Sequence, residues 1–376
     1  MIRKQFPELY YFAPTIIVGK RDSYYYAMKY GDKYPFVKSS DALTVIEEAR
    51  DSLTTGRIFL CDGTYELSDT LVIKKAEIVG ESREGTILYY NGTSYAVRTE
   101  LDLFTIKNLT IKIGTSALGC LYVKPYVDVG LIENVKFLGE DETVSGQYGI
   151  RFDAGDGSCY YHRVVKCLFY FLNVGIKTET SGTGRANAQR IIDPFFYRIG
   201  SVGIDFSPDG SDEHTVLGGF WASSPNAVGF KSDGWRNYFI GCQLEMGTGS
   251  KAFELLSNSS QNIVLVNSNC PTAPTIEGSD HLVWYRGRFE HENHGTATIT
   301  GDGSTTTFTV DIEHGLASDK VACKVTLDRD GTIDKVYLVD TDSDGFYETI
   351  RVEVTYATAP ASDETVPIYW SAQVVE

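Results

Sequence analysis

A repeat of about 25 residues runs through the middle of this chain and limits what it can fold into. From Arg163 onward the segments RVVKCLFY, QRIIDPFFY, HTVLGGFWA, YFIGCQLEM and IVLVNSNCP share one frame, and FTIKNLTIK from Phe104 and GLIENVKFL from Gly130 fit it too. With Asn108 as the marker, the matching positions are Asn134, Cys167, Asp193, Gly218, Cys242 and Asn267. They lie 24 to 33 residues apart, and the longest step holds an insertion around Gly155. Half a period later a second phrase recurs as YGIRFD, VGIKTE, VGIDFS and VGFKSD. Short β-branched runs with apolar residues at alternate positions are strands, too short for paired helices. Units repeated at a fixed period bury their apolar faces by stacking. The expectation is an all-β chain whose residues 41–292 form a parallel β-helix, one coil per repeat.

Around this solenoid the chain changes character twice. Residues 1–40 are basic and rich in tyrosine (Tyr10, Tyr11, Tyr24, Tyr25, Tyr26, Tyr30, Tyr34), an arm able to pack on its own first coils or to dock on another particle. Ser40 or Asp41 then caps an amphipathic helix with Leu43, Ile46, Ala49 and Leu53 on one face. A solenoid's first coil has no neighbour beneath it, so this helix is expected to close the apolar end. After a Gly-rich junction, residues 293–376 alternate as strands of a small antiparallel β-sandwich.

The net charge of −16 argues against nucleic acid as a partner, because phosphates are repelled rather than neutralised. No stretch is long and apolar enough to span a membrane. The N-terminal stretch lacks a continuous apolar segment and a small-residue cleavage site, so no signal peptide is expected. The seven cysteines are scattered without a CxxC pair and read as buried thiols in a reducing compartment.

From Gly56 to Leu88 the chain reads GRIFLCDGTYELSDTLVIKKAEIVGESREGTIL. A helix followed by G-x-I-x-L-x-x-G-T-Y-x-L-x-x-T-L-x-I and I-x-G-E resembles the opening of pectate-lyase-like right-handed β-helix proteins, among them viral tailspikes. The resemblance covers roughly residues 40–290. It implies a single-stranded right-handed parallel β-helix and a virion surface protein of the tailspike or tail-fibre type. It also implies a homotrimer that binds host surface polysaccharide and meets other virion proteins through its N-terminal arm. Assembly in the host cytoplasm would then precede release. The same architecture carries depolymerases and purely structural proteins, so fold alone does not fix activity. The N-T-D, D-D, G-H-G and R-I-K motifs of polygalacturonases are missing, and no calcium cluster beside an arginine, as in pectate lyases, is legible.

Three sets of residues are candidates for function. Aligning the repeats puts Phe169, Phe195 and Phe220 in one column and Phe137, Tyr170, Phe196 and Trp221 in the next. Adjacent strand residues face opposite ways, so one column points out as a platform for sugar rings or a subunit. Tyr170, Phe196, Trp221, Trp235 and Tyr238 are the expected glycan contacts, with a bend that turns both columns inward as the alternative. The second phrase gives an outward charge ladder, Lys177, Asp205, Lys231 and Glu254, alternating in sign, which favours register. In the neighbouring outward column Asp153 and Glu179 stack about 5 Å apart, a separation that suits a retaining glycosidase, with Asp205 and the cluster Asp209, Asp212, Glu213 and His214 nearby. In the last domain Asp340, Asp342 and Asp344 match half of a calcium loop, with Glu348 as a further oxygen. The Glu that an EF-hand needs at its twelfth position is Arg351 here. A Ca²⁺-stabilised hairpin and a plain acidic turn both fit.

Overall fold

The computed structural model describes residues 15–374, apart from 75, 181–182, 208–210, 269, 271, 273, 279–280, 286–287, 290–291, 319–320, 328–329 and 340–346. The calcium-loop residues Asp340, Asp342 and Asp344, the side chain of Glu348, Asp209, Tyr10 and Tyr11 lie outside the described residues or side chains. The chain divides into two compact units between Leu282 and Val283.

The first unit is a parallel β-helix in which a typical coil contributes three strands. The first ladder climbs through Gly56–Leu60, Ala76–Gly80, Thr105–Lys107, Leu131–Glu133, Arg163–Val165, Arg190–Ile192 and Thr215–Leu217, every pair parallel. The second begins at Gly63–Leu67 and includes Lys136–Leu138, Leu168–Tyr170, Phe195–Tyr197 and Phe220–Ala222. The third is a nine-stranded sheet built from the YGIRFD phrase and its equivalents. At the top the first two ladders fuse into one strand, Tyr238–Leu244, with an irregularity between Ile240 and Cys242.

The bend between the first and second ladders needs left-handed backbone, which Asn, Asp and Gly supply at least cost. It falls on Asn108, Asn134, Lys166, Asp193 and Gly218. The marker of its coil is therefore Lys166, not Cys167. Gly241, not Cys242, carries the positive φ on the fused strand. Cys167 and Cys242 are the next, inward residues, and burial pushes both thiols up to about 12.

A second left-handed corner precedes the first ladder at Leu103, Val129, Tyr161, Ala188, Glu213, Arg236 and Gln261. The backbone N–H after each of the upper corners points inward and needs an acceptor, because a buried unpaired donor is costly. A column of interior side chains provides it. Gly130 donates to His162 Nδ1, His162 to Gln189 Oε1, Gln189 to His214 Nδ1, His214 to Asn237 Oδ1 and Asn237 to Asn262 Oδ1, at 2.7 to 3.1 Å. Each link joins one coil to the next, so the column also fixes vertical register.

The N-terminal segment packs on its own chain. Thr15–Arg21 runs parallel to Gly56–Leu60 and antiparallel to Tyr24–Lys29, which pairs with Val37–Ser39. The helix Ala42–Asp51 is capped by Asp41, whose Oδ2 accepts from Thr44 N at 3.0 Å. Its buried face is Ala42, Leu43, Val45, Ile46 and Ala49. The expected Leu53 lies past the helix end.

The second unit holds two three-stranded antiparallel sheets, one of Glu292–Thr300, Thr365–Val374 and Val321–Leu327, the other of Thr307–Ser318, Tyr347–Tyr356 and Gly331–Val339. Ile299, Ile312, Ile350, Val352, Val354, Val366 and Ile368 form its core.

Candidate functional site

The second ladder decides which aromatic residues face a ligand. Its inward column is Phe137, Phe169, Phe196 and Trp221, in register and 0 % exposed. Their rings stack 4.7 to 5.0 Å apart. The expected glycan contacts Phe196 and Trp221 are thus core residues. Counting the bend from Cys167 shifted one coil by a residue and placed the outward Tyr170 in the column of the inward Phe137, Phe196 and Trp221. The glycines of the second phrase make room for these rings: a Cβ on Gly149 would lie 2.7 Å from the Phe169 ring, and one on Gly203 2.5 Å from Trp221 Nε1.

What faces outward is a compact aromatic surface. Tyr170 and Tyr197 form one column, and Leu168, Phe195 and Phe220 the other. Tyr170 lies 5.8 Å from Phe195 and 5.5 Å from Tyr197, and Phe195 lies 5.4 Å from Phe220. Tyr197 is 40 % exposed and the others are half-buried. Lys136 stands over the Tyr170 ring, and Arg198 over Phe171.

Beside Tyr197 this surface opens into a cleft of about 410 Å³, lined by Glu142, Arg198, Ser223, Ser224, Glu245 and Met246 among others. Glu142 comes from the long turn that follows Lys136–Leu138, two coils below Tyr197. Arg198 Nε and Nη2 donate to its Oε1 at 3.0 and 2.6 Å, and Ser224 Oγ donates to the same oxygen at 3.4 Å. Ser223 Oγ is a buried hydroxyl without a partner among the described residues. The cleft therefore offers one aromatic wall, two carboxylates, a guanidinium and hydroxyls, a set that suits a polyhydroxylated ligand. The sequence reading reached Tyr170 but missed Tyr197, Glu142, Arg198 and Glu245. The phrase FFYRIG carries Tyr197 and Arg198 but neither glutamate.

The expected acid pair stands in register on the third ladder, Asp153 beside Glu179. Arg151 reaches both, with Nη2 3.5 Å from Asp153 and Nε 2.8 Å from Glu179; the latter is a charge contact off the N–H direction. Asp153 is buried and accepts from Tyr122 Oη and Gly155 N, both at 2.9 Å. Burial and the Asp153 bond push the Tyr122 phenol well above its ordinary range. Asp205, also buried, accepts from Ser207 and lies 3.5 Å from Lys177. Lys231 pairs with Glu254 at 2.8 Å, so the alternating ladder is present as read.

The loop cluster separates. His214 is interior, Asp212 is buried and bonded to Trp235 N, and Glu213 lies outside against Arg236. Trp235 is 37 % exposed with the Arg236 guanidinium 4.2 Å over its ring. Tyr238 is half-buried on the outer face of the first ladder.

Among solved structures, this architecture matches ORF18 of Geobacillus virus E2 at a TM-score of 0.57 and 13 % identity, over 88 % of this chain and 73 % of that one. The chain shares its fold with a phage protein. The surface adhesin PfbA of Streptococcus pneumoniae (TM-score 0.39, 10 % identity, 61 % of this chain and 76 % of that one) is more distant. So is the tailspike of E. coli bacteriophage HK620 in complex with a pentasaccharide (TM-score 0.33, 10 % identity, 85 % and 81 %). Likenesses that loose carry no argument about function. No family model and no curated protein matches the chain. Among the described residues no helix is long and apolar enough to cross a membrane.

Proposed function

We propose that this is a virion surface protein of the tailspike or tail-fibre kind that binds host glycans on the side of its β-helix. The observation that supports it is the outward aromatic surface of Tyr170, Phe195, Tyr197 and Phe220 opening into the Glu142–Arg198–Glu245 cleft. Aromatic faces cover sugar rings, and the cleft's carboxylates and guanidinium give hydroxyls directed partners. Tyr197→Ala is expected to weaken binding on a glycan array about tenfold, near 1.4 kcal/mol, without moving the melting temperature. Undiminished binding by that variant would remove the surface from the account. The proposed assembly is a homotrimer, and light scattering that returns the monomer mass overturns it.

A depolymerase is the second reading, favoured by the in-register stacking of Asp153 on Glu179. Asp153→Asn and Glu179→Gln should then each lower polysaccharide cleavage at least a hundredfold, the scale of a lost acid or base. Cleavage unchanged in both variants leaves Arg151 and its two carboxylates as a register device.

A further inference from the structure

Arg163 and Arg190 stand one above the other on the outer face of the first ladder, in direct register on neighbouring coils. Both are exposed, and neither guanidinium has a hydrogen bond or ion pair among the described residues. Every other arginine from Arg50 to Arg236 faces a carboxylate, from 2.6 Å for Arg198–Glu142 to 3.8 Å for Arg236–Glu213. The chain carries 50 acidic against 34 basic residues, so acids are abundant enough to pair them all. Like charges directly opposite on neighbouring strands are destabilising. Lys166, exposed at the adjoining bend, adds a third cation without a partner among the described residues.

The surroundings point the same way. Continuing up the column come Thr215 and then Tyr238, so Arg163 to Tyr238 spans roughly 14 Å at the usual strand spacing. Tyr161, 60 % exposed, holds the corner just before Arg163 in left-handed backbone, φ 61°. Its ring lies mostly in solvent at the foot of the column.

We infer that this column is a subsite for an acidic glycan, a chain bearing carboxylate groups. The stacked guanidiniums take its carboxylates, each able to bind one bidentately, while Thr215, Tyr161 and Tyr238 meet its hydroxyls and ring faces. An acidic peptide fits less well, because the ladder's backbone is already paired coil to coil and presents no free edge for an added strand. This inference rests on the glycan-binding reading and names the class of glycan.

The test is an array of acidic and neutral bacterial surface polysaccharides, probed with the wild-type protein, R163A/R190A, R163K/R190K and Tyr197→Ala. Wild-type protein is expected to retain carboxylate-bearing glycans, and R163A/R190A to lose at least tenfold on those while holding any neutral ones. R163K/R190K recovers only part, because lysine keeps the charge without the fork. R163A/R190A should melt at the same temperature or higher, since it removes a repulsive pair. Full retention of acidic glycans by R163A/R190A overturns the inference. If the wild-type protein binds neutral glycans alone, the inference falls while the glycan-binding reading stands; binding to nothing sinks both. Polyglutamate competing as well as uronate oligosaccharides assigns bare charge attraction and overturns the glycan. A smaller mass for R163A/R190A by light scattering assigns a subunit contact instead, and also overturns it.

Discussion

Trp221→Ala is expected to destabilise the solenoid by about 3–5 kcal/mol, whereas Trp221→Phe costs less than about 1.5 kcal/mol. The ring is fully buried at the top of the stack, 4.9 Å from Phe196, so truncation leaves a cavity that the surrounding coils cannot close. Phenylalanine is what the three coils below carry in the same register. It also removes a buried indole N–H that has no partner among the described residues. The opposing position tolerates nothing larger. A Cβ on Gly203 would sit 2.5 Å from Trp221 Nε1 and 2.5 Å from Gly229 O, the next coil's backbone, so Gly203→Ala belongs with the destabilising variants. Urea unfolding of the two tryptophan variants is the check. A Trp221→Ala protein as stable as the wild type, yet deficient in glycan binding, would place the ring outside and reverse the assignment made from the structure.

The repeat was legible because strand alternation and a left-handed bend recur with residues that tolerate each. Asn108, Asn134, Asp193 and Gly218 announced the bend by type. Lys166 did not, since lysine has no special ease there, and the apolar Cys167 beside it looked like the better match. That single slip set the outward Tyr170 in one column with Phe196 and Trp221, which are in step with each other but face the core. The third ladder escaped the error: its glycines flag the register, and Lys177, Asp205, Lys231 and Glu254 stack as read. The cleft was out of reach for a different reason. Glu142 meets Arg198 across 56 positions through an irregular turn, and no periodicity reports such a contact. The unpaired state of Arg163 and Arg190 likewise depends on what all the other charges do.

The interior column of His162, Gln189, His214, Asn237 and Asn262 predicts marked loss of stability in mild acid. Both histidines accept a backbone N–H at Nδ1, which places the proton on Nε2, and His162 Nε2 lies 2.9 Å from Val127 O, which it supplies. Burial lowers each to about 3, since an imidazolium there would lose solvation and its acceptor role together. The unfolded chain takes up these protons near pH 6.5, so it binds more of them than the native state between 6.5 and 3. The stabilising contribution is complete above about pH 6.5 and is lost as pH falls toward 3. By pH 4.5 the two histidines together account for a loss on the order of 5 kcal/mol. The column itself supplies the control. Gln189, Asn237 and Asn262 perform the same acceptance with groups that do not titrate, so H162Q/H214N preserves the links between coils. That variant loses ring packing against Phe152 and Phe206 and starts from a lower melting temperature at pH 7. Its further decline between pH 7 and 4.5 should be much shallower than that of the wild type. Parallel pH profiles for the two proteins would mean that the acid sensitivity lies in the carboxylates, and that the column is a register device only.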